Sequence, residues 1–194
     1  MTKQIDGIVL AAGASSRMGS PKPLLEVADT TFLERAIHML REAGCRYVVA
    51  VVDDNDWVER LADVSGAAVI INDDRNSEQI QSLRLGLANL PEDSDGAVVL
   101  PVDYPRIQTA TVRTLIEKFG STDAPILNPS YNGEAGHPVL FAGRLYPELL
   151  AGNLPDGART VIEAHQSEAR TIAVDDEGVL IDVDTRADYD KHIR

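Results

Sequence analysis

Cysteine is almost missing from this chain. Cys45 is the only thiol, so no disulfide can close within the chain, and no Cys/His cluster has zinc-site spacing. Placed between a helical pattern and an apolar run, Cys45 reads as a buried, inert thiol. Positive charge is scarce too. Eighteen Lys and Arg face 31 Asp and Glu, a formal charge of −13. Such a surface repels phosphate backbones and anionic lipid, which excludes broad nucleic-acid or membrane binding and leaves room only for a local basic patch. No apolar run approaches the roughly 20 residues of a membrane span. The first residues reach Asp6 without a basic region followed by a long apolar stretch, and the expected location is the cytoplasm.

What is present is ordinary for a soluble globular protein: 194 residues, 44% hydrophobic and 25% charged. That length suits one domain over 1–194, able to bury about 70% of its unfolded surface. Short apolar runs at Gly7–Ala12, Tyr47–Val52, Ala67–Ile71 and Gly96–Leu100 have the continuous Val/Ile/Leu character of strands covered on both faces. Between and after them, helical patterns run over Thr31–Ala43, Trp57–Val64, Ser77–Leu90, Thr109–Phe119, Arg144–Leu150 and Arg186–His192. The first opens on Thr31-x-x-Glu34, a capping-box spacing, and stops at Gly44. Strand–helix alternation predicts a doubly wound, Rossmann-like α/β fold with a mainly parallel sheet and helices on both faces. Further strands are expected at Pro125–Leu127 and Pro138–Phe141 around a turn-rich stretch, Asn128–Gly136. A small C-terminal β-hairpin is predicted from Thr171–Val174 and Val179–Val183 around Asp175–Gly178.

Four segments carry chemistry. The first is Leu10-Ala11-Ala12-Gly13-Ala14-Ser15-Ser16-Arg17-Met18-Gly19-Ser20-Pro21-Lys22, directly after the first strand, where open α/β sheets bind ligands. Small residues let backbone N–H groups approach an anion, and Arg17 and Lys22 supply cations for a leaving pyrophosphate. The spacing is neither GxxxxGK[ST] nor GxGxxG; a Gly-rich turn with two solvated cations is the plain alternative. The second is Pro101-Val102-Asp103-Tyr104-Pro105, which sets a carboxylate past the end of a buried strand, either as a Mg²⁺ ligand or as a turn residue. The third is Asp182-Val183-Asp184-Thr185, where alternation puts both carboxylates on one face; they bind a cation or form a solvated strand end capped at the next helix. The fourth is Gly136-His137-Pro138, where the imidazole either hydrogen-bonds a phosphate or serves the turn.

The run LAAGxSxRMGxxKxLL resembles the signature of MobA-like NTP transferases, which include the molybdenum cofactor cytidylyl- and guanylyltransferases. The resemblance continues in Asp103-x-Pro, in DVDTRADY against DxDTPxDY with Arg186 where proline is usual, and in GxxGHPVLF around His137. It implies that Leu10, Ala11, Ala12, Gly13, Arg17 and Lys22 bind the NTP, with Arg17, Lys22 and Asp103 as the catalytic set. Asn76 and Ser82 would lie near the nucleotide, although on physical grounds Ser82 is an ordinary helix hydroxyl. Asp103, Asp182 and Asp184 would hold Mg²⁺, with Mn²⁺ as a substitute. His137 and Arg159 would meet the acceptor; Arg159 follows Gly157-Ala158, but the family's leading Gly-Asp is absent.

The expected activity is transfer of a nucleotide from an NTP, CTP before GTP, to a small phosphorylated acceptor of the molybdopterin type. The nucleotide part spans about 1–105 and the acceptor and second metal-ligand part about 106–194. A molybdoenzyme receiving the cofactor is a further expected partner. Two rivals stand: a non-catalytic nucleotide- or cofactor-binding module, and an NAD-dependent oxidoreductase, which would need the missing GxGxxG.

Overall fold

The computed structural model describes residues 3–13, 18, 20–53, 56–74 and 78–194. An eight-stranded sheet forms its centre. Strand β1 (Ile5–Ala11) pairs in parallel with β4 (Val48–Val52) on one side and β6 (Gly96–Pro101) on the other, and β4 in turn with β5 (Ala68–Ile71). These are the four apolar runs of the sequence. Beyond β6 the direction reverses: β9 (Val139–Ala142) is antiparallel to both β6 and β7 (Ile126–Tyr131). The edge strand β10 (Arg170–Ala173) is parallel to β7. The path is β10-β7-β9-β6-β1-β4-β5, with the two-residue β8 (Glu134–Ala135) paired to β7. A separate small ribbon joins β2 (Glu26–Val27) to β3 (Thr30–Thr31).

Two apolar layers cover the sheet. Ile5, Val9 and Ala11 of β1 face a cluster with α1 (Phe32–Ala43), α2 (Asp56–Val64) and α4 (Thr109–Gly120), joined by Tyr189 of α7 (Arg186–His192). Ile8 and Leu10 point the other way, to α3 (Gln79–Ala88), α5 (Tyr146–Leu150) and α6 (Ala158–Ala164). Phe32, Leu33, Ile37 and Leu40 of α1 are fully buried, each burial stabilising by about 1.5–3 kcal/mol. The capping box forms: Thr31 N–H donates to Glu34 Oε2 at 2.9 Å and Glu34 N–H to Thr31 Oγ1 at 3.3 Å. Gly44 ends the helix at φ 110°, a left-handed conformation natural to glycine.

The expected C-terminal hairpin is not there. β10 pairs with β7, not with the segment after it, and Glu177–Leu180 is a turn of 3₁₀-helix. The cause is Asp176, whose carboxylate is buried and accepts hydrogen bonds from Gln108 N (2.9 Å), Thr111 Oγ1 (2.6 Å) and Gly178 N (3.0 Å). A tight Asp-Glu-Gly turn thus becomes a tether onto the start of α4. The turn-rich reading of 128–136 is also corrected, since β7 continues through Pro129 to Tyr131. Helix α6 is an element that the sequence reading left out.

Cys45 is buried at 6% exposure, and burial, with the nearby charge of Asp6, pushes its thiol up to about 12. We expect no reaction of the native chain with a thiol-specific disulfide reagent at pH 8, and one thiol released per chain after unfolding in guanidinium. Labelling of the native chain would show that this layer opens. Among the described residues no helix is long and apolar enough to cross a membrane.

Candidate active site

Adjacency of β1 and β6 decides where the site forms. Their carboxyl ends lie side by side, and Val102 N–H donates to the Leu10 carbonyl at 3.0 Å. The residues that follow, Ala12-Gly13 and Asp103, therefore emerge together on one rim. Lys22 returns to this rim at the start of a 3₁₀ turn, Lys22–Leu24. The chain after it is anchored where Tyr189 of α7 donates its hydroxyl to the Glu26 carbonyl at 2.8 Å. Val183 is fully buried, and its N–H donates to the Asp103 carbonyl at 2.8 Å. That bond clamps the C-terminal segment onto the Asp103 turn, with Asp182 and Asp184 on either side of the buried valine. The expected alternation holds there without a strand, and Thr185 caps α7 through a capping box with Asp188.

Lys22 Nζ lies 3.0 Å from Asp103 Oδ2 and also bonds Asp184 Oδ1. Burial disfavours the ammonium, but the bond to Asp184 and the charge and bond of Asp103 outweigh it and hold its pKa above the ordinary lysine value. Behind this pair the Tyr104 ring packs on the His137 ring, centroids 4.6 Å apart. Burial first, then the charges of Asp182, Asp103 and Asp184, raise the Tyr104 phenol to about 12. Burial lowers the His137 pKa against the opposing pull of Asp103 and Asp182. Buried Asp103 Oδ1 and His137 Nδ1 have no hydrogen-bond partner among the described residues.

His137 is aimed by a close backbone contact. Its N–H donates to the Val179 carbonyl at 2.9 Å. A Cβ on the preceding Gly136 would fall 2.2 Å from that same carbonyl oxygen, so this approach requires glycine.

Two adjoining cavities open here. Leu10, Ala11, Ala12, Gly13, Lys22 and Asp103 line the first, of about 230 Å³. The second, about 430 Å³, lies between α3, β6, β9 and α6; Leu83, Val99, Val139 and Phe141 make it largely apolar, with His137 and Arg159 also on its wall. Leu10, Gln79 and Pro101 border both. The sequence candidates are thus partly gathered. Arg159 is exposed and paired with Glu163 at 2.9 Å. Ser82 is buried and accepts a hydrogen bond from Asn72 Nδ2 at 2.9 Å, an internal tie between the end of β5 and α3. Arg17 and Asn76 lie outside the described residues. Tyr104, Gln79 and Asp176 were not singled out from sequence. Tyr104 sits inside the Asp103-x-Pro motif, so a signal for it was at hand; Gln79 and Asp176 have none.

Among the described residues no group of three or more His, Cys, Asp or Glu side chains is disposed to hold a metal ion. The expected trio of Asp103, Asp182 and Asp184 is therefore not assembled as a cage. A smaller set does suit Mg²⁺: the orphaned, buried Asp103 Oδ1 and Asp184, linked to it through Lys22. Mg²⁺ commonly takes one or two carboxylates and completes its shell with phosphate and water.

A match to the MobA-like NTP transferase domain runs over residues 7–169. The chain belongs to that family. It is 30% identical over 138 residues to a probable molybdenum cofactor guanylyltransferase of Bacillus mycoides, covering 70% of this chain and 66% of that one. It is 24% identical over 187 residues to the molybdenum cofactor cytidylyltransferase of Escherichia coli, covering 95% and 93%. Against GlmU of Mycolicibacterium smegmatis, a bifunctional protein, identity reaches 36% over 126 residues, but the chain spans only 26% of that length. The crystal structure of Rv0371c from Mycobacterium tuberculosis superposes with a TM-score of 0.86 at 31% identity, covering 100% of this chain and 98% of that one. A complex of Rv0371c with manganese has also been solved. The mostly parallel, helix-covered sheet is the nucleotidyltransferase fold of these neighbours.

Proposed function

We propose that this chain transfers a nucleoside monophosphate from an NTP, CTP by preference, to the phosphate of a small acceptor of the molybdopterin type, releasing pyrophosphate. The observation that carries the reading is the first cavity, which Leu10–Gly13, Lys22 and Asp103 line together. Donors for phosphate oxygens, a cation and a metal-type carboxylate are what phosphoryl transfer asks of a protein.

In the proposed step an acceptor phosphate oxygen attacks the α-phosphorus in line, and the bond from that phosphorus to the β-phosphate oxygen breaks. Lys22 and Arg17 balance charge on the departing pyrophosphate. No base is required, because a phosphate monoester is largely ionised near pH 7. Asp103 and Asp184, with Asp182 beside them, are the residues that would hold Mg²⁺ or Mn²⁺, and such an ion neutralises phosphate charge. Asn76 would stand near the nucleotide, and Ser82 would act through Asn72. The apolar second cavity suits a flat, partly apolar acceptor body, with His137 and Arg159 as its polar contacts. Residues of about 1–105 supply the nucleotide site and those of about 106–194 the second metal ligands and much of the acceptor wall, in the cytoplasm, with a molybdoenzyme as the taker of the product.

GTP is the second reading for the same chemistry, favoured by the name of the Bacillus mycoides relative. Pyrophosphate release with each of the four NTPs, Mg²⁺ and molybdopterin decides between them. CTP alone should support turnover. Turnover with GTP keeps the reaction and changes the base. Binding of Mg-NTP without release under any condition turns the proposal toward a binding module.

A further inference from the structure

The Lys22 ammonium lies between two of the carboxylates that would hold a metal ion, on Asp103 Oδ2 and Asp184 Oδ1. Asp103 and Asp184 come from segments 81 residues apart, and the Val183 clamp forces them onto one rim. Two carboxylates so placed repel each other unless a cation lies between them. Here that cation belongs to the chain: Nζ is 3.0 Å from Asp103 Oδ2 and hydrogen-bonded to Asp184 Oδ1. Lysine suits such a part, being a compact charge on a flexible stem that can swing away without rearranging the backbone.

From this geometry we infer that Lys22 occupies the cation position in the nucleotide-free chain and releases it to a divalent ion only when a triphosphate draws the ammonium onto its own oxygens. This rests on the nucleotide reading above and adds an order to it. Lys22 cannot neutralise the carboxylates and the phosphates at once. Arrival of the triphosphate draws the Lys22 charge away from Asp103 and Asp184, and the ion that enters replaces it. Nucleotide and metal therefore bind with positive linkage, and the linkage is reciprocal.

The test is Mn²⁺ binding, followed from the free-ion EPR signal, to the full chain without nucleotide. Wild type should bind weakly, and Lys22→Met should bind about tenfold more tightly or better. Lys22→Met with Asp103→Asn should lose that gain. Adding CTP, or GTP if that is the substrate, should tighten Mn²⁺ binding to wild type at the Asp103 site and have little effect in Lys22→Met. Lys22→Gln serves as a second neutral variant, and near-UV circular dichroism checks that each variant is folded. Thermal melts supply an independent readout: Mn²⁺ should raise the Tm of Lys22→Met more than that of wild type.

Equal Mn²⁺ affinity in wild type and both neutral variants without nucleotide overturns the inference, as does no binding to those variants at all. If no NTP binds any form, the proposed transferase function fails, while the nucleotide-free comparison still decides where Lys22 stands.

Discussion

Asp103→Asn is expected to lower pyrophosphate release by about 10²–10³-fold, the usual consequence of deleting one preorganised charge at a transferring phosphoryl group. Asparagine keeps the size of the side chain, and the Val183 N–H still meets the backbone carbonyl of residue 103, which the substitution does not touch. What is lost is a full negative charge and the capacity of Oδ1 to take a cation. Lys22 keeps its bond to Asp184. The loss should fall on kcat more than on KM, because the charge matters most as the transition state forms. Steady-state pyrophosphate release with the preferred NTP, beside a thermal melt, measures both. Turnover near the wild-type rate in a folded variant would remove Asp103 from the chemistry.

The second large effect is on stability. Replacing Asp176 with alanine should lower the unfolding free energy by about 3–5 kcal/mol, because hydrogen bonds to a charged group contribute about 1.5–3 kcal/mol each and their buried donors are left unpaired. Thr111 Oγ1, Gln108 N and Gly178 N all point at this carboxylate. Two close contacts explain why no other arrangement substitutes easily. A Cβ on Gly178 would sit 2.3 Å from the Arg106 carbonyl oxygen, and His137 N–H is bonded to Val179. Asp176→Asn should fall between wild type and alanine, since its amide oxygen still accepts. Urea denaturation of the three proteins at pH 7 reads the order directly. A shift for alanine below about 1 kcal/mol would mean that the tether is ornamental to the fold.

The same residue shows where sequence reading stops. Asp175-Asp176-Glu177-Gly178 has the composition of a hairpin turn, and nothing local distinguishes a solvated turn from one drawn into the protein. Its fate is set by Gln108 and Thr111, more than 60 residues earlier in the chain. β7 runs past its expected end for a related reason: Asn128-Pro129-Ser130 has turn chemistry, and pairing with β10, at register Ile172 with Pro129, and with β8 beyond it makes it a strand. Helix α6 begins at a glycine with φ 59° and has no side-chain cap, so the usual start signal is missing. By contrast β1, β4 and β6 were legible because burial on both faces leaves an unbroken apolar run, and the half-exposed edge strand β5 was legible from its Val/Ile content. Helix α1 was legible because its cap and its stop are local. The Gly13–Lys22 loop and Asp103 were legible as candidates because they follow such strands at once. The link between Lys22, Asp103 and Asp184 was not, since spacing says nothing about which cation settles between two carboxylates.

The Val183 clamp joins the chemistry to the core. Every strand among the described residues is complete by Ala173, yet Val179, Val183 and Tyr189 belong to the same apolar cluster as Val9 and Phe32. A backbone cut between β10 and Val179 would therefore strip a carboxylate from the rim and uncover apolar surface in one event. A molecule spoiled for its reaction is then also one that quality control can recognise by its exposed core.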